Sequence, residues 1–141
     1  MSQENVEKLR RFLETWDPQT DLEAWKRGET LDLSLIDAEV AYEDTALPDH
    51  VGETYHGYEG IVRATERWLE PFESLTVALE RIVGTGERLV SIHRVQMKAR
   101  HTGIEFEGPL AYMWTFRDGK VIHLKSYLEP AEALEAAGLS E

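Results

Sequence analysis

The chain has no cysteine. A disulfide framework, thiolate metal sites and a cysteine nucleophile are thereby excluded together. Long apolar runs are also missing, and nothing approaches the roughly 20 consecutive residues that a membrane-spanning helix needs. The opening MSQENVEKLRR mixes acidic with basic residues and has no apolar centre, unlike a secretory leader, so the expectation is a cytoplasmic protein. Positive charge is scarce: 15 Lys and Arg stand against 27 Asp and Glu, for a net charge of −12. A field of that sign repels phosphate backbones and anionic bilayers, so neither nucleic acid nor a membrane surface is expected as a partner. No repeat, low-complexity tract or linker breaks the sequence.

What remains is a chain of 141 residues with 42% apolar content, enough for one domain (1–141) with a real core and too short for two. Val6, Leu9, Phe12, Leu13 and Trp16 recur at helical spacing, which predicts a helix from near Ser2 to the Asp17-Pro18 stop. Thr20 and Glu23 form a capping-box pattern, predicting a second helix from about Asp21 to Arg27, closed at Gly28. TLDLSLI, residues 30–36, alternates like a strand but follows a possible Thr30 cap, and is read as a short helix. Gly57 introduces a helix with Ile61, Ala64, Thr65, Trp68 and Phe72 on one face.

The rest reads as strands. Leu75, Val77 and Leu79 alternate, as do Leu89, Ser91, His93, Val95 and Met97. Thr102-Gly103 and Asp118-Gly119 are turn signals, and between them Ile104, Phe106, Leu110, Tyr112, Trp114 and Phe116 are in phase. A last strand, Lys120 to Leu128, precedes a short helix between Pro130 and Gly138. Helices followed by a long meander predict an α+β domain: a curved antiparallel sheet wrapped around N-terminal helices, with a cone-shaped pocket between them.

One position stands out. In AEVAYED, Val40, Tyr42 and Asp44 share one face of a strand. Burying an unpaired carboxylate there is costly, so Asp44 either has partners, works chemically as a general base, or caps the strand end against solvent. Tyr112 and His93 are its candidate partners. His56 is read as bracing its turn, His101 and His50 lie in a hairpin tip and a loop, and His123 points outward. None has metal-type spacing, so neither metal nor cofactor is expected.

The segments YHGYEGI, WTFRDGKV and YLEPAEALEAAGL, in this order of elements, resemble the nuclear transport factor 2-like superfamily over essentially the whole chain. Within it the chain is most similar to the small SnoaL-like proteins, relatives of ketosteroid isomerase and polyketide cyclases. The resemblance implies the cystatin-like α+β barrel. Laid along this chain, the isomerase pattern implies Asp44 as catalytic base, near a matching His56-Gly57 pair. It puts Tyr112 where that enzyme holds a hydrogen-bonding acid, and Phe12 where it has an oxyanion tyrosine. The same register implies a concave face carrying His93, Val95, Met97, Leu110, Trp114, Leu124 and Leu128. Asp44, Tyr112 and His93 are then the candidate catalytic residues. Trp16, Tyr42, Thr65, Trp68, Val95, Met97, Trp114 and Leu124 would contact substrate. Relatives often dimerise through the outer sheet face, here the Arg94, Lys98, Arg100 row, which implies a homodimer.

Three functions stay open. The first is cofactor-free acid/base chemistry (isomerase, cyclase or dehydratase type) on a small apolar or aromatic carbonyl compound. The second is ligand binding without chemistry. The third is an interaction module whose cone is filled by its own side chains.

Overall fold

The apolar stripe of the first segment forms α1 (Ser2–Glu14), which buries Leu9 and Leu13. Asp17 then caps α2 (Pro18–Lys26): its carboxylate accepts from the Thr20 amide at 3.3 Å and the Thr20 hydroxyl at 3.1 Å, with Pro18 in the first helical turn. The helix therefore starts three residues before the expected Asp21. Asp17, not Thr20, is the cap, because proline's missing N–H costs nothing at that position. The computed structural model describes residues 2–28, 34–44, 53–84 and 86–139. Most of TLDLSLI, and His50, lie outside them; Leu35 is in a turn and Ile36 opens a strand rather than continuing a helix.

Among the described residues six strands follow: β1 (Ile36–Asp44), β2 (Glu53–His56), β3 (Phe72–Val83), β4 (Arg88–Ala99), β5 (Glu105–Arg117) and β6 (Lys120–Tyr127). Between β2 and β3 runs α3 (Gly57–Leu69), and α4 (Pro130–Ala137) comes last. They form one curved sheet in the order β2-β1-β6-β5-β4-β3. The antiparallel meander from β3 to β6 is as expected, and β6 closes onto β1 in parallel. At the β5–β6 turn both Asp118 (φ 52°) and Gly119 (φ 79°) are left-handed, the geometry a two-residue hairpin demands.

The YHGYEG segment has a steric reason. Gly57 has φ 69°, and a Cβ there would also stand 3.2 Å from the Ala38 carbonyl oxygen. Gly60 lies against Tyr55, where a Cβ would meet that residue's backbone at 3.0 Å. The two glycines let β2 turn directly into α3 and let the helix lie close to the strand it has just left. Pro71 ends this helix at Leu69, so Phe72 opens β3 instead of extending the helical face.

The concave face holds the main core, centred on Leu9, Val40, Leu75, Leu89 and Phe116. Not every helix covers that face. α4 packs against the opposite side, on Val90, Ile92, Ala111 and Tyr127. The reason is local: LVSI in β4 is apolar in both phases, so both faces there need cover. Leu128, expected on the concave face, is 51% exposed because β6 has ended one residue earlier. Ile104 precedes β5 and is exposed, and Phe106 is half-exposed with its ring against Phe72 at 5.8 Å. On the outer face Arg94 and Gln96 bond Glu107, and Lys98 pairs with Glu73. Arg100 donates to the Glu70 and Phe72 carbonyls.

Gly57→Ala should lower stability by about 1–2 kcal/mol, the cost of forcing a side chain into the left-handed region. Gly108→Ala, with open space around its Cβ position, should stay within about 0.5 kcal/mol of wild type. Urea unfolding of both variants measures the difference, and equal effects would contradict the steric account of the turn.

Candidate functional site

Three adjacent strands build the polar centre of the concave face. Register sets Ser91 of β4 and Ser126 of β6 directly opposite Tyr112 of β5, one on each side. The small serines flank the large phenol, and their hydroxyls become available to its neighbours. β1 lies beyond β6, with Tyr42 beside Leu124 in the parallel ladder. Two residues on in each strand, Asp44 and Ser126 meet: the Ser126 hydroxyl donates to the Asp44 carboxylate at 3.1 Å. Asp44 is 3% exposed. Tyr42 is hydrogen-bonded to both Ser126 and Tyr112. Burial pushes the Tyr42 phenol up, and the Asp44 charge adds to the shift. The Tyr112 phenol is pushed well up by burial first, then by Tyr42 and Asp44. Both phenols therefore stay protonated and able to donate.

A second group adjoins the first. The Trp114 indole N–H donates to the Ser91 hydroxyl oxygen at 2.8 Å, and the His93 Nε2 lies 2.7 Å from the same oxygen. Since an indole can only donate, the Ser91 hydroxyl proton is best used toward Nε2, which leaves the proton of the neutral imidazole on Nδ1. Among the described residues that Nδ1 has no hydrogen-bond partner. An unsatisfied buried donor costs roughly 1–3 kcal/mol. The His93 ring stands edge-on to Tyr112 at 5.7 Å, which joins the two groups. Desolvation lowers the His93 pKa to about 4, so the ring is neutral near pH 7.

Trp16 covers this centre. It sits in the short connection between α1 and α2, its ring edge-on to His93 at 5.7 Å and to Tyr112 at 5.6 Å, and stacked on Trp68 at 6.2 Å. It also borders a cavity of about 580 Å³. That cavity lies among the three N-terminal helices, with walls from Phe12 and Trp16, from Leu22 and Trp25 of α2, and from Ile61 and Thr65 of α3. Trp16 is thus a shared wall, with open space on one side and the polar centre on the other.

The expected site residues divide along this wall. Asp44, Tyr112 and His93 come together on the concave face, and Tyr42, Trp68, Val95, Met97, Trp114 and Leu124 belong to the packed core around them. Of the expected contact residues, Trp16 and Thr65 border the cavity. The Thr65 hydroxyl is bonded back to the Ile61 carbonyl at 2.8 Å. Sequence reasoning overlooked Ser126, although it falls in phase between Leu124 and Leu128. It also overlooked Lys8 and Arg11 on α1 and Thr15 just beyond it, which continue the helical spacing of Phe12 and line the cavity with it. His56 is exposed and makes no side-chain cap bond to α3. His123 is half-buried against Glu43 at 2.6 Å. Among the described residues no three His, Asp or Glu side chains are grouped to hold a metal, and no helix is long and apolar enough to cross a membrane.

The lowered His93 pKa makes stability depend on pH. Between the unfolded value near 6.5 and the folded value of about 4 the unfolded chain binds more protons. Stability contributed by neutral His93 is therefore complete above pH 6.5 and lost as pH falls toward 4, by about 3 kcal/mol in all. Urea unfolding across this range should show a shallower acid loss in His93→Gln than in wild type. Identical slopes would contradict burial as the cause.

Comparison with known proteins follows the same architecture. The profile of the SnoaL-like domain matches residues 9–124. A putative SnoaL-like polyketide cyclase from Jannaschia sp. CCS1 superposes with a TM-score of 0.68 at 19% identity, covering 99% of this chain and 95% of its own. TerC, co-crystallised with polyporic acid, gives 0.62 at 16% identity over 86% of this chain and 98% of its own. A ketosteroid isomerase-like protein from Catenulispora acidiphila, in complex with trimethylamine, gives 0.58 at 20% identity over 76% of this chain and 79% of its own. No curated protein matches. The family match covers most of the described sheet, α2, α3 and the second half of α1, and the chain belongs to the SnoaL-like domain family, with the nuclear transport factor 2-like fold.

Proposed function

We propose that the chain binds a small apolar or aromatic carbonyl compound in the cavity framed by α1, α2 and α3. The carrying observation is the cavity itself, about 580 Å³ with aromatic walls from Phe12, Trp16 and Trp25. That volume suits a drug-sized molecule, and aromatic walls bind through area with little entropy loss. Relatives crystallised with trimethylamine and with polyporic acid are in keeping with a small-molecule role.

A second reading, acid/base chemistry without a cofactor, is supported by the polar centre behind Trp16. Asp44 would take a proton from the carbon next to a carbonyl. The Tyr112 O–H, with the unpartnered His93 Nδ1–H, would donate to the enolate oxygen that forms. Return of the proton to a different carbon completes an isomerisation; ring closure or loss of water would begin at the same enolate. From the cavity, a substrate would reach Tyr112 and His93 by displacing the Trp16 indole, which belongs to neither flanking helix. Homodimerisation through the outer face of β3–β5 is part of this proposal, and hydrodynamic mass in dilute buffer tests it: a monomer contradicts it.

Thermal-shift screening with aromatic carbonyl compounds should yield a stabilising ligand. Filling the cavity with Ile61→Trp should abolish that shift, and a shift that persists would refute the assignment of the cavity. Asp44→Asn should leave affinity for such a ligand nearly unchanged while any turnover falls by roughly 10²–10⁴. If Asp44→Asn instead unfolds the protein easily and spares turnover, Asp44 is structural and the chemical reading fails.

A further inference from the structure

The cavity wall carries more than apolar side chains. Lys8 and Arg11 share the α1 stripe with Phe12, and Lys120 opens β6 at the same border. The Lys8 ammonium lies against the β5–β6 turn, 3.1 Å from where a Cβ on Gly119 would stand, so α1 and the start of β6 bring their cations to one end. Lys8 pairs with Glu4 at 3.5 Å, an exposed contact of little strength. The Arg11 and Lys120 side chains make no hydrogen bond or ion pair among the described residues.

Two carboxylates, Asp21 and Asp118, also border the cavity, so its wall has three cations to two acids. The whole chain runs the other way, with 15 cations to 27 acids. Burial pushes the Asp21 carboxyl up, against a lowering hydrogen bond from the Asp17 backbone. Cations held at an apolar cavity in an otherwise acidic protein, two of them without partners among the described residues and the third in a weak exposed pair, are placed to receive an external anion. Arg11 adds a planar fork suited to a two-oxygen acid group.

We propose that the ligand is an anionic amphiphile, with an aromatic or apolar body among Phe12, Trp16, Trp25 and Ile61 and an acid group held at the rim by Arg11, Lys8 and Lys120. This rests on the reading of the cavity as a ligand site and names the class of molecule it takes. A neutral molecule of the same shape fills the same walls and leaves the cations in water.

Two fluorescent dyes separate these statements: anilinonaphthalene sulfonate, and its uncharged parent phenylnaphthylamine. Both are titrated against wild type, Lys8→Gln/Arg11→Gln/Lys120→Gln and Ile61→Trp. The triple variant should lose about tenfold in affinity for the sulfonate, as expected when charge-assisted hydrogen bonds are removed, and change by less than about twofold for the neutral dye. Retained binding of the neutral dye also shows that the triple variant is folded. Equal changes for the two dyes, or none for either, would overturn the anion preference and leave the cavity assignment standing. Wild type that binds neither dye, or dye binding that survives Ile61→Trp, would overturn both.

Discussion

A carboxylate with 3% exposure is tolerable only where hydrogen bonds replace its water, and the architecture of the sheet turns on that requirement. Asp44 stands at the last position of β1, and Ser126 reaches it only because β6 lies alongside in parallel with Tyr42 beside Leu124. A one-residue slip would turn Ser126 to the outer face and leave a charge in the core. The parallel seam and the serine–tyrosine–serine row across β4, β5 and β6 therefore depend on each other. Tyr112 is held between two serines whose hydroxyls serve Asp44 on one side and His93 with Trp114 on the other.

Trp16 divides the interior that these strands enclose. Its ring meets His93 and Tyr112 edge-on, an arrangement favoured by the quadrupoles of aromatic rings, and its opposite side borders open space. The cavity lies beside α1, α2 and α3, while on the concave face the rings of His93, Tyr112 and Trp114 pack against one another and against Trp16 and Phe12.

Much of this was legible locally. Alternation in AEVAYED put Asp44 on the inner face. The Asp118-Gly119 pair marked its hairpin, and YHGYEG marked a strand turning directly into a helix, because each depends on neighbours in sequence. What was illegible depends on distance in space. Nothing near Pro130 says that α4 crosses to the outer face; the clue lay forty residues earlier, in the doubly apolar LVSI. The cavity depends on the separation of α1 from α3, which no periodicity encodes, so Trp25 and Arg11 went unread. Ser126 was missed for another reason: alternation searches for apolar residues, and the informative residue was the polar one between two leucines.

Buried polar side chains on the concave face are few and close together. Asp44, Ser91, His93 and Ser126 all lie on strands that face Tyr112, and Asn5, bonded to the Gly86 carbonyl, stands apart. Leucine at position 93 would fill a similar volume and leave no orphaned donor, so stability alone does not account for the imidazole. The Nδ1 hydrogen bond, unmet among the described residues, belongs to a ring that Trp16 touches, and Trp16 also borders the open space. A ligand oxygen arriving past Trp16 would gain the hydrogen bond that the folded chain leaves unmade. Cost and access thus fall at the same place, and that coincidence, more than the identity of any single residue, is the physical argument for chemistry at this end of the fold.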